Sequence, residues 1–467
     1  MKNLFRRKEV THQDYGLKKC LSAFDLTLLG IGAIIGTGIF VLTGVAAATT
    51  SGPAVVLSFV VAGIACAFAA LAYAELASSI GGCGSAYGYS YAAFGEIIAW
   101  IIGWDLILEY GVAVAAVANG WSGYFNNALK AIGAPIPDFL LAGPFAPEPG
   151  LVNLPAVLII LALMAMLIIG VKESARLNAA MVFIKLLTIA VFIAVAVFHV
   201  NPDNWSPFIP FGWFGEGDNG KIGIFAGASL VFFAYVGFDA VSTAVEEAKN
   251  PQKDVPIGIL ASLGFCTLIY IIVSGLLTGV ISYTELNVSY PVSFALEKVG
   301  VTWASALVST GVITGLTTVM LVLYYGLTRI ILAISRDGLL PPYFGKVSDK
   351  THTPVRTTVL CGLVMAVMAG FIPLGALAEL VNIGTLAAFV LVCGGIILLR
   401  WRHPEMPRPF KMPYGTTMAV CGVLSCGALI YTLPGEHTHE RFVLWLLVGM
   451  VIYFGYSLRH SKLALRE

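Results

Sequence analysis

Residues 26–50 read LTLLGIGAIIGTGIFVLTGVAAATT, long enough at 1.5 Å per residue to cross a bilayer, yet crowded at the centre by Gly32, Gly36 and Gly38. Residues 222–246 repeat the pattern: an apolar run is interrupted by Gly237 and Asp239. Glycine-interrupted segments at matching places in two halves of a chain point to a midplane binding site. A broken helix exposes the N–H groups that start one half and the C=O groups that end the other. The former, with the half-helix dipole, suit a carboxylate, and the latter an ammonium or a cation. For Gly30, Gly32 and Gly44 close helix packing is the simpler reading. The Gly36-Thr37-Gly38 triplet, two glycines flanking a hydroxyl, reads as an unwound binding segment.

The rest of the chain agrees with this beginning. Of 467 residues 58% are hydrophobic and 11% charged, against about 25% charged in an average soluble domain. Twelve apolar spans are expected, at 26–50, 54–79, 96–124, 154–171, 178–199, 222–246, 257–281, 303–333, 358–373, 377–399, 416–433 and 441–458. The fold class is therefore an all-α polytopic membrane protein. Twenty-two lysines and arginines fall on one side of these spans and four on the other (Lys130, Lys221, Lys298, Arg441), which predicts cytoplasmic termini and a multi-pass cell-membrane protein. No soluble domain, cleavable signal, metal spacing or disulfide framework is legible, and a net charge of +1 gives no sign of nucleic-acid binding. Enzyme signatures such as GxxxxGK[ST], HExxH and GxSxG are absent.

Few charges lie inside the spans. Lys185 sits in MVFIKLLTIAVFIAVAVF, nine residues beyond Arg176 and so about 13 Å deep, too far to snorkel. A charge there costs about 2.5–3.5 kcal/mol on the mildest scale. Either it braces carbonyls of span 1 or span 8, or it loads and releases a proton, tying span 5 to the unwound part of span 1 when charged. Asp105 and Glu109 are four residues apart on one face of span 3. Two carboxylates so close discourage joint ionisation. Glu109, the deeper, reads as a contact for substrate or a pocket water, and Asp105 as structural. Asp239 either caps the second half of span 6 or handles a proton. Glu75 reads as a snorkelling or loop-pinning residue. Arg329, Arg336 and Asp337 fit an inner gate or simple positive-inside placement.

Six segments in order carry a resemblance: GAIIGTGIF (32–40), IGGCGSAYGYSYAAFGE (80–96), IGWDLILEYGVAVAAVANGWS (102–122), GVKESARLN (170–178), FFAYVGFDAVSTAVEEAKNPQKDVPIGI (232–259) and TRIILAISRDGLLP (328–341). Together they resemble the cationic amino acid transporter family of the amino acid–polyamine–organocation superfamily. The resemblance implies a five-plus-five inverted-repeat fold, with unwound helices 1 and 6 and two extra C-terminal helices. The corresponding divisions are a cytoplasmic segment 1–25, a first repeat 26–199, a second 200–401, and helices 11–12 with the tail, 402–467. It implies secondary active transport of L-amino acids by alternating access. The Gly36, Thr37 and Gly38 amides would hold the substrate carboxylate. Carbonyls near Ile34, Phe232, Phe233 and Val236 would take its ammonium, with Phe233 as the gating aromatic. Lys185 would stand where sodium-coupled relatives bind an ion, so the expected coupling ion is a proton and no cofactor is expected.

The family suggests cationic substrates. Span 8, however, offers Thr314, Thr317, Met320 and Tyr324 at helical spacing, and a bulky Met320 favours small neutral amino acids such as alanine. Rival readings are a proton-independent exchanger of the same fold and, from another class, a channel. Besides the L-amino acid, the expected partners are membrane lipids. The outer faces of spans 11 and 12 leave room for a small accessory membrane subunit.

Overall fold

The computed structural model describes residues 6, 20–80, 86–170, 175–217, 220–349, 351 and 353–463. Most of the basic N-terminal tail, motif residues 81–85 and 171–174, and His352 lie outside them. The main helices are α1 (Ala23–Ile34), α2 (38–51), α3 (Val55–Ile80), α4 (Ala86–Ala93), α5 (Glu96–Ala131), α6 (Leu154–Ile169) and α7 (Ala175–Ala196). They continue with α8 (Ile224–Val231), α9 (Pro251–Val280), α10 (Pro291–Lys298), α11 (Thr302–Arg336), α12 (Val355–Phe371), α13 (Leu374–Arg402), α14 (Thr416–Tyr431) and α15 (Thr438–Ile452). Eight helical stretches among the described residues are long and apolar enough to span a membrane, and α1, α6, α12 and α14 are shorter apolar helices beside them. The chain is an all-α polytopic membrane protein.

Local chemistry sets the ends of these helices. Ser22 and Asp25 form a reciprocal capping box that starts α1. α6 starts on Asn153, whose side chain accepts from the Ala156 amide, and stops at Gly170, which is left-handed. Three features escaped the sequence reading. α5 runs on to Ala131, loops hold the short helices α4 and α10, and residues 215–222 form a hairpin of β1 (Gly215–Gly217) and β2 (Gly220–Ile222).

The most extensive packing pairs α5 with α11, α3 with α9, and α13 with α14; α1 lies along α9, α13 also packs on α5, and α6 pairs with α12. The N-terminal end of span 1 is also stitched to the end of span 6. The Cys20 and Leu21 amides both donate to the Glu247 carbonyl, and the Lys249 amide donates to that of Leu21. At the foot of α5, buried Glu96 accepts from Tyr91, Tyr453 and Ser461 hydroxyls at 2.9, 3.1 and 2.5 Å, joining α4 to the C-terminal helix. Asp337 accepts from Tyr87 at 2.9 Å, so it links the end of α11 to α4. Arg329 lies over the Tyr325 ring.

Glu75 is buried at the end of α3 and pins a loop. It takes Arg400 Nε at 3.0 Å and Nη2 at 2.5 Å, and the Met412 amide at 2.8 Å. Arg408 Nε lies 3.3 Å from the same carboxylate without hydrogen-bond geometry. Removing one partner of a buried pair strands the other, at about 3–5 kcal/mol. Glu75→Ala is therefore expected to lower the thermal midpoint of the detergent-solubilised protein sharply and to expose residues 403–415 to protease. An unchanged midpoint would contradict the pinning role.

Candidate functional site

Two helices break at the same depth. α1 ends at Ile34, Ile35 turns extended (ψ 104°), and α2 restarts at Gly38 as a π-helical turn. α8 ends at Val231, a 3₁₀ turn covers Phe232–Tyr235, and a second 3₁₀ segment runs Phe238–Glu247 after Gly237. Gly237 has φ +113°, and a β-carbon there would lie 3.0 Å from the Ala33 carbonyl oxygen. Gly38 is pressed against the backbone of Ala234, where no side chain fits. The two breaks thus cross in direct contact, which accounts for the glycine at 38 by packing. Gly36 is different: a β-carbon there would meet only Val319, at 3.7 Å. Thr37 is fully buried, beside Gly120 of α5, and its hydroxyl has no hydrogen-bond partner among the described residues.

The carbonyl ends are held from outside. Tyr270 of α9 points its hydroxyl at the Ile34 oxygen (3.0 Å) and the Ala234 oxygen (2.8 Å), so one phenol bridges both broken helices. Its ring packs on Phe59 and Tyr235 at 5.3 and 5.4 Å, and Tyr235 bonds to the Phe59 carbonyl. Asn382 of α13 donates to the Ser229 and Leu230 carbonyls at 2.8 and 3.0 Å, satisfying groups freed where α8 stops. At the span 6 break, the Phe233 carbonyl takes the Val236 amide at 3.3 Å. The Phe232 ring turns to Phe389 of α13, at 5.7 Å.

Lys185 is 2% exposed and reaches the end of α1: its ammonium donates to the Gly32 carbonyl at 2.6 Å. That carbonyl belongs to the last turn of α1, where the break removes the acceptor's helical partner. The lysine stem lies on Gly315 of α11, where a β-carbon would come within 2.9 Å of Cγ. One side chain thus joins spans 5, 8 and 1 just below the break.

Asp105, Glu109 and Asp239 are all buried. Glu109 interacts electrostatically with Asp105 and Asp239 and faces Thr385, and Tyr73 and Tyr110 lie beside Glu109 and Asp239. Asp105 Oδ1 and Asp239 Oδ1 have no hydrogen-bond partner among the described residues. Amides of Gly237, Asp239 and Ala240 lie around the Asp239 carboxylate, which sits in the first turn of the lower half-helix just after Gly237 at its cap position.

α11 meets spans 5 and 1 along one line of residues. Gly311 meets Thr188, Gly315 meets Lys185 and Val319 meets Gly36, a stripe of small residues four apart. Thr317 accepts from the Trp121 indole at 3.0 Å, and Tyr324 donates to the Thr358 carbonyl at 2.5 Å, away from span 1. Met320, fully buried, shares the helical face of Thr317 and Tyr324. Tyr270, Asn382, Gly315 and Val319 were not singled out from sequence. A lone hydroxyl or amide deep in an apolar span was the available signal for the first two.

The amino acid permease family model matches residues 21–453. The chain belongs to the amino acid permease family. It is a transporter and not an enzyme. The permease is similar to the methylthioribose transporter of Bacillus subtilis (strain 168), 49% identical over 468 residues, which cover 99% of this chain and 100% of that one. It is similar to the branched-chain amino acid permease BcaP of the same organism, 50% identical over 470 residues and 99% of each chain. The vacuolar cationic amino acid transporter 4 of Arabidopsis thaliana is 37% identical over 414 residues, 87% of this permease and 68% of the plant chain.

Above the break, on the face opposite the termini, the permease has a cavity of about 830 Å³. Val41 and Val45 of α2 and Asn119 and Gly120 of α5 line it. Gly120 also abuts Thr37, so the cavity floor is the roof of the break.

Proposed function

We propose that this permease is a proton-coupled symporter of neutral L-amino acids in the cell membrane, working by alternating access with both termini cytoplasmic. Twelve spans in a five-plus-five inverted repeat plus two helices account for the pairing of α3 with α9, α5 with α11 and α6 with α12, each a first-half span with its second-half counterpart. The observation that carries the reading is the crossed pair of broken helices, joined by Tyr270 at their carbonyl ends and by Lys185 at the Gly32 carbonyl. Amides at Gly36, Thr37 and Gly38 face the substrate carboxylate, and carbonyls near Ile34, Phe232, Phe233 and Val236 face its ammonium. Glu109 contacts the substrate or a pocket water, and Lys185 carries the proton, with Asp239 capping or assisting.

Small and branched aliphatic amino acids are the preferred class. The likeness to BcaP supports it, and Met320 is proposed as the apolar end of the side-chain pocket. Methylthioribose is the second reading, favoured by a relative of nearly equal identity. Exchange without protons is the mechanistic alternative. The deciding experiment is uptake into proteoliposomes with labelled alanine, leucine, arginine and methylthioribose, varying pH gradient, sodium and potential. Accumulation of alanine or leucine driven by an inward proton gradient is expected. Uptake that needs internal counter-substrate and ignores the gradient contradicts symport, and uptake of arginine or methylthioribose alone contradicts the neutral amino acid reading. Met320→Ser should shift preference toward longer side chains, read as a rise in the leucine-to-alanine or arginine-to-alanine ratio of kcat/KM.

A further inference from the structure

Basic residues are scarce on the face opposite the termini: Lys130, Lys221, Lys298 and Arg441. Two of them are engaged. The Lys221 ammonium donates to the Tyr431 carbonyl and sits 3.9 Å from the centre of its ring, and Lys298 pairs with Glu285 at 2.7 Å. The other two, Lys130 and Arg441, both line the cavity above the break, and neither side chain has a hydrogen bond or ion pair among the described residues. Both are exposed, so their charges cost nothing to keep there.

Acidic groups share the same cavity: Asp138, Glu379 and Glu436. Glu379, at the start of α13, accepts from the Thr438 hydroxyl at 2.6 Å, which fixes one oxygen and leaves the other free. Arg441 lies within electrostatic reach of it, one helical turn along from Thr438. The α5 wall adds Asn119, Ser122 and Asn126 below Lys130, at spacings of three and four that put them on one helical face. Opposite stand the apolar side chains of Val41 and Val45. Fixed charges of opposite sign beside low-dielectric walls attract the two ends of a zwitterion separately, and salt screens that attraction.

Free charges of both signs, a polar wall and an apolar wall match a zwitterion with an aliphatic side chain. An uncharged sugar would use the polar wall but leave the charges of Arg441 and Glu379 unmatched. We propose that the cavity is a first, weak docking site for the amino acid. Its carboxylate lies toward Arg441, its ammonium toward Glu379, and from there it passes over Gly120 and Thr37 into the break. At about 830 Å³ the cavity has room for hydrating water as well, so it concentrates and orients the substrate rather than enclosing it. The proposal rests on the amino acid reading of the transport site.

Arg441→Gln and Glu379→Gln separate docking from transport. Glutamine at 379 keeps an acceptor for Thr438, and residue 441 is exposed, so both proteins should fold like the parent. Initial uptake of leucine and of methylthioribose would be measured in proteoliposomes at low and physiological salt. For leucine, KM should rise about three- to tenfold at low salt with the maximal rate kept, the scale expected of modest electrostatic concentration. The parent's KM should rise with salt toward that of the variants, because the mouth is screened within about 8 Å at 0.15 M. Any methylthioribose uptake should be unaffected. An unchanged leucine KM in both variants, with normal parent uptake, overturns the docking site alone. So does a fall in maximal rate with constant KM. A parent protein that carries no amino acid overturns the transport reading and the docking site with it.

Discussion

Lys185→Ala is expected to abolish uphill uptake driven by a proton gradient while leaving the substrate able to bind. The ammonium holds the Gly32 carbonyl at 2.6 Å and is buried against Gly315, so it supplies a charge-assisted bond between span 5 and the end of α1. Such bonds are worth about 1.5–3 kcal/mol, which is roughly ten- to a hundredfold in the equilibrium between joined and parted helices. On the proposed coupling, loss of the proton weakens that bond and frees α1 to tilt away. Without the side chain, the helices part whether or not a proton is present. Uptake then follows the substrate gradient only. The measurement is accumulation in proteoliposomes under an imposed pH gradient, beside a substrate-induced thermal shift in detergent. Proton-driven accumulation that persists at wild-type level in the alanine variant rules out Lys185 as the coupling residue. Lys185→Arg offers a further reading: it keeps the bond but cannot release its proton, so it should bind substrate and fail to accumulate it.

The breaks and the lysine were legible in the sequence because each violates a simple rule. Glycine clusters are poor helix interior, and a charge in mid-membrane is costly. The apolar spans were legible for a similar reason, since only helices satisfy their backbone in lipid. What could not be read was orientation about the helix axis. α11 carries hydroxyls and small residues on more than one face, so helical spacing alone does not say which face meets the break. Hence the sequence drew attention to Thr317, Met320 and Tyr324, whereas Gly315 and Val319 face the break. The glycine triplet also divided in a way spacing alone does not reveal: position 38 is explained by the backbone of Ala234, and position 36 is not crowded. Glu75 was read as a loop-pinning candidate, but its partners Arg400 and Met412 lie more than three hundred residues away. Asp239, open between capping and proton or substrate handling, falls in the first turn after Gly237 rather than at the cap position itself.

Tyr270→Phe should cripple transport with little loss of fold. The ring stays in its cage with Phe59 and Tyr235, so packing is conserved and only the hydroxyl goes. Its loss leaves the Ile34 and Ala234 carbonyls without their shared donor at the point where both helices are broken. A buried acceptor deprived of its partner costs about 1–3 kcal/mol. Those carbonyls then compete for water or for the substrate ammonium, and the two half-helices lose the link that makes them move together. An effect of about ten- to a hundredfold on turnover follows if that full cost falls on one conformation, with the thermal midpoint changed far less than in Glu75→Ala. Leaving the carbonyls more available gives a distinctive sign: apparent substrate affinity in a binding assay should hold or tighten while turnover falls. A Tyr270→Phe protein with normal turnover would mean that the bridge is only a packing detail. Weaker binding together with slower turnover would instead assign the hydroxyl to the substrate pocket itself.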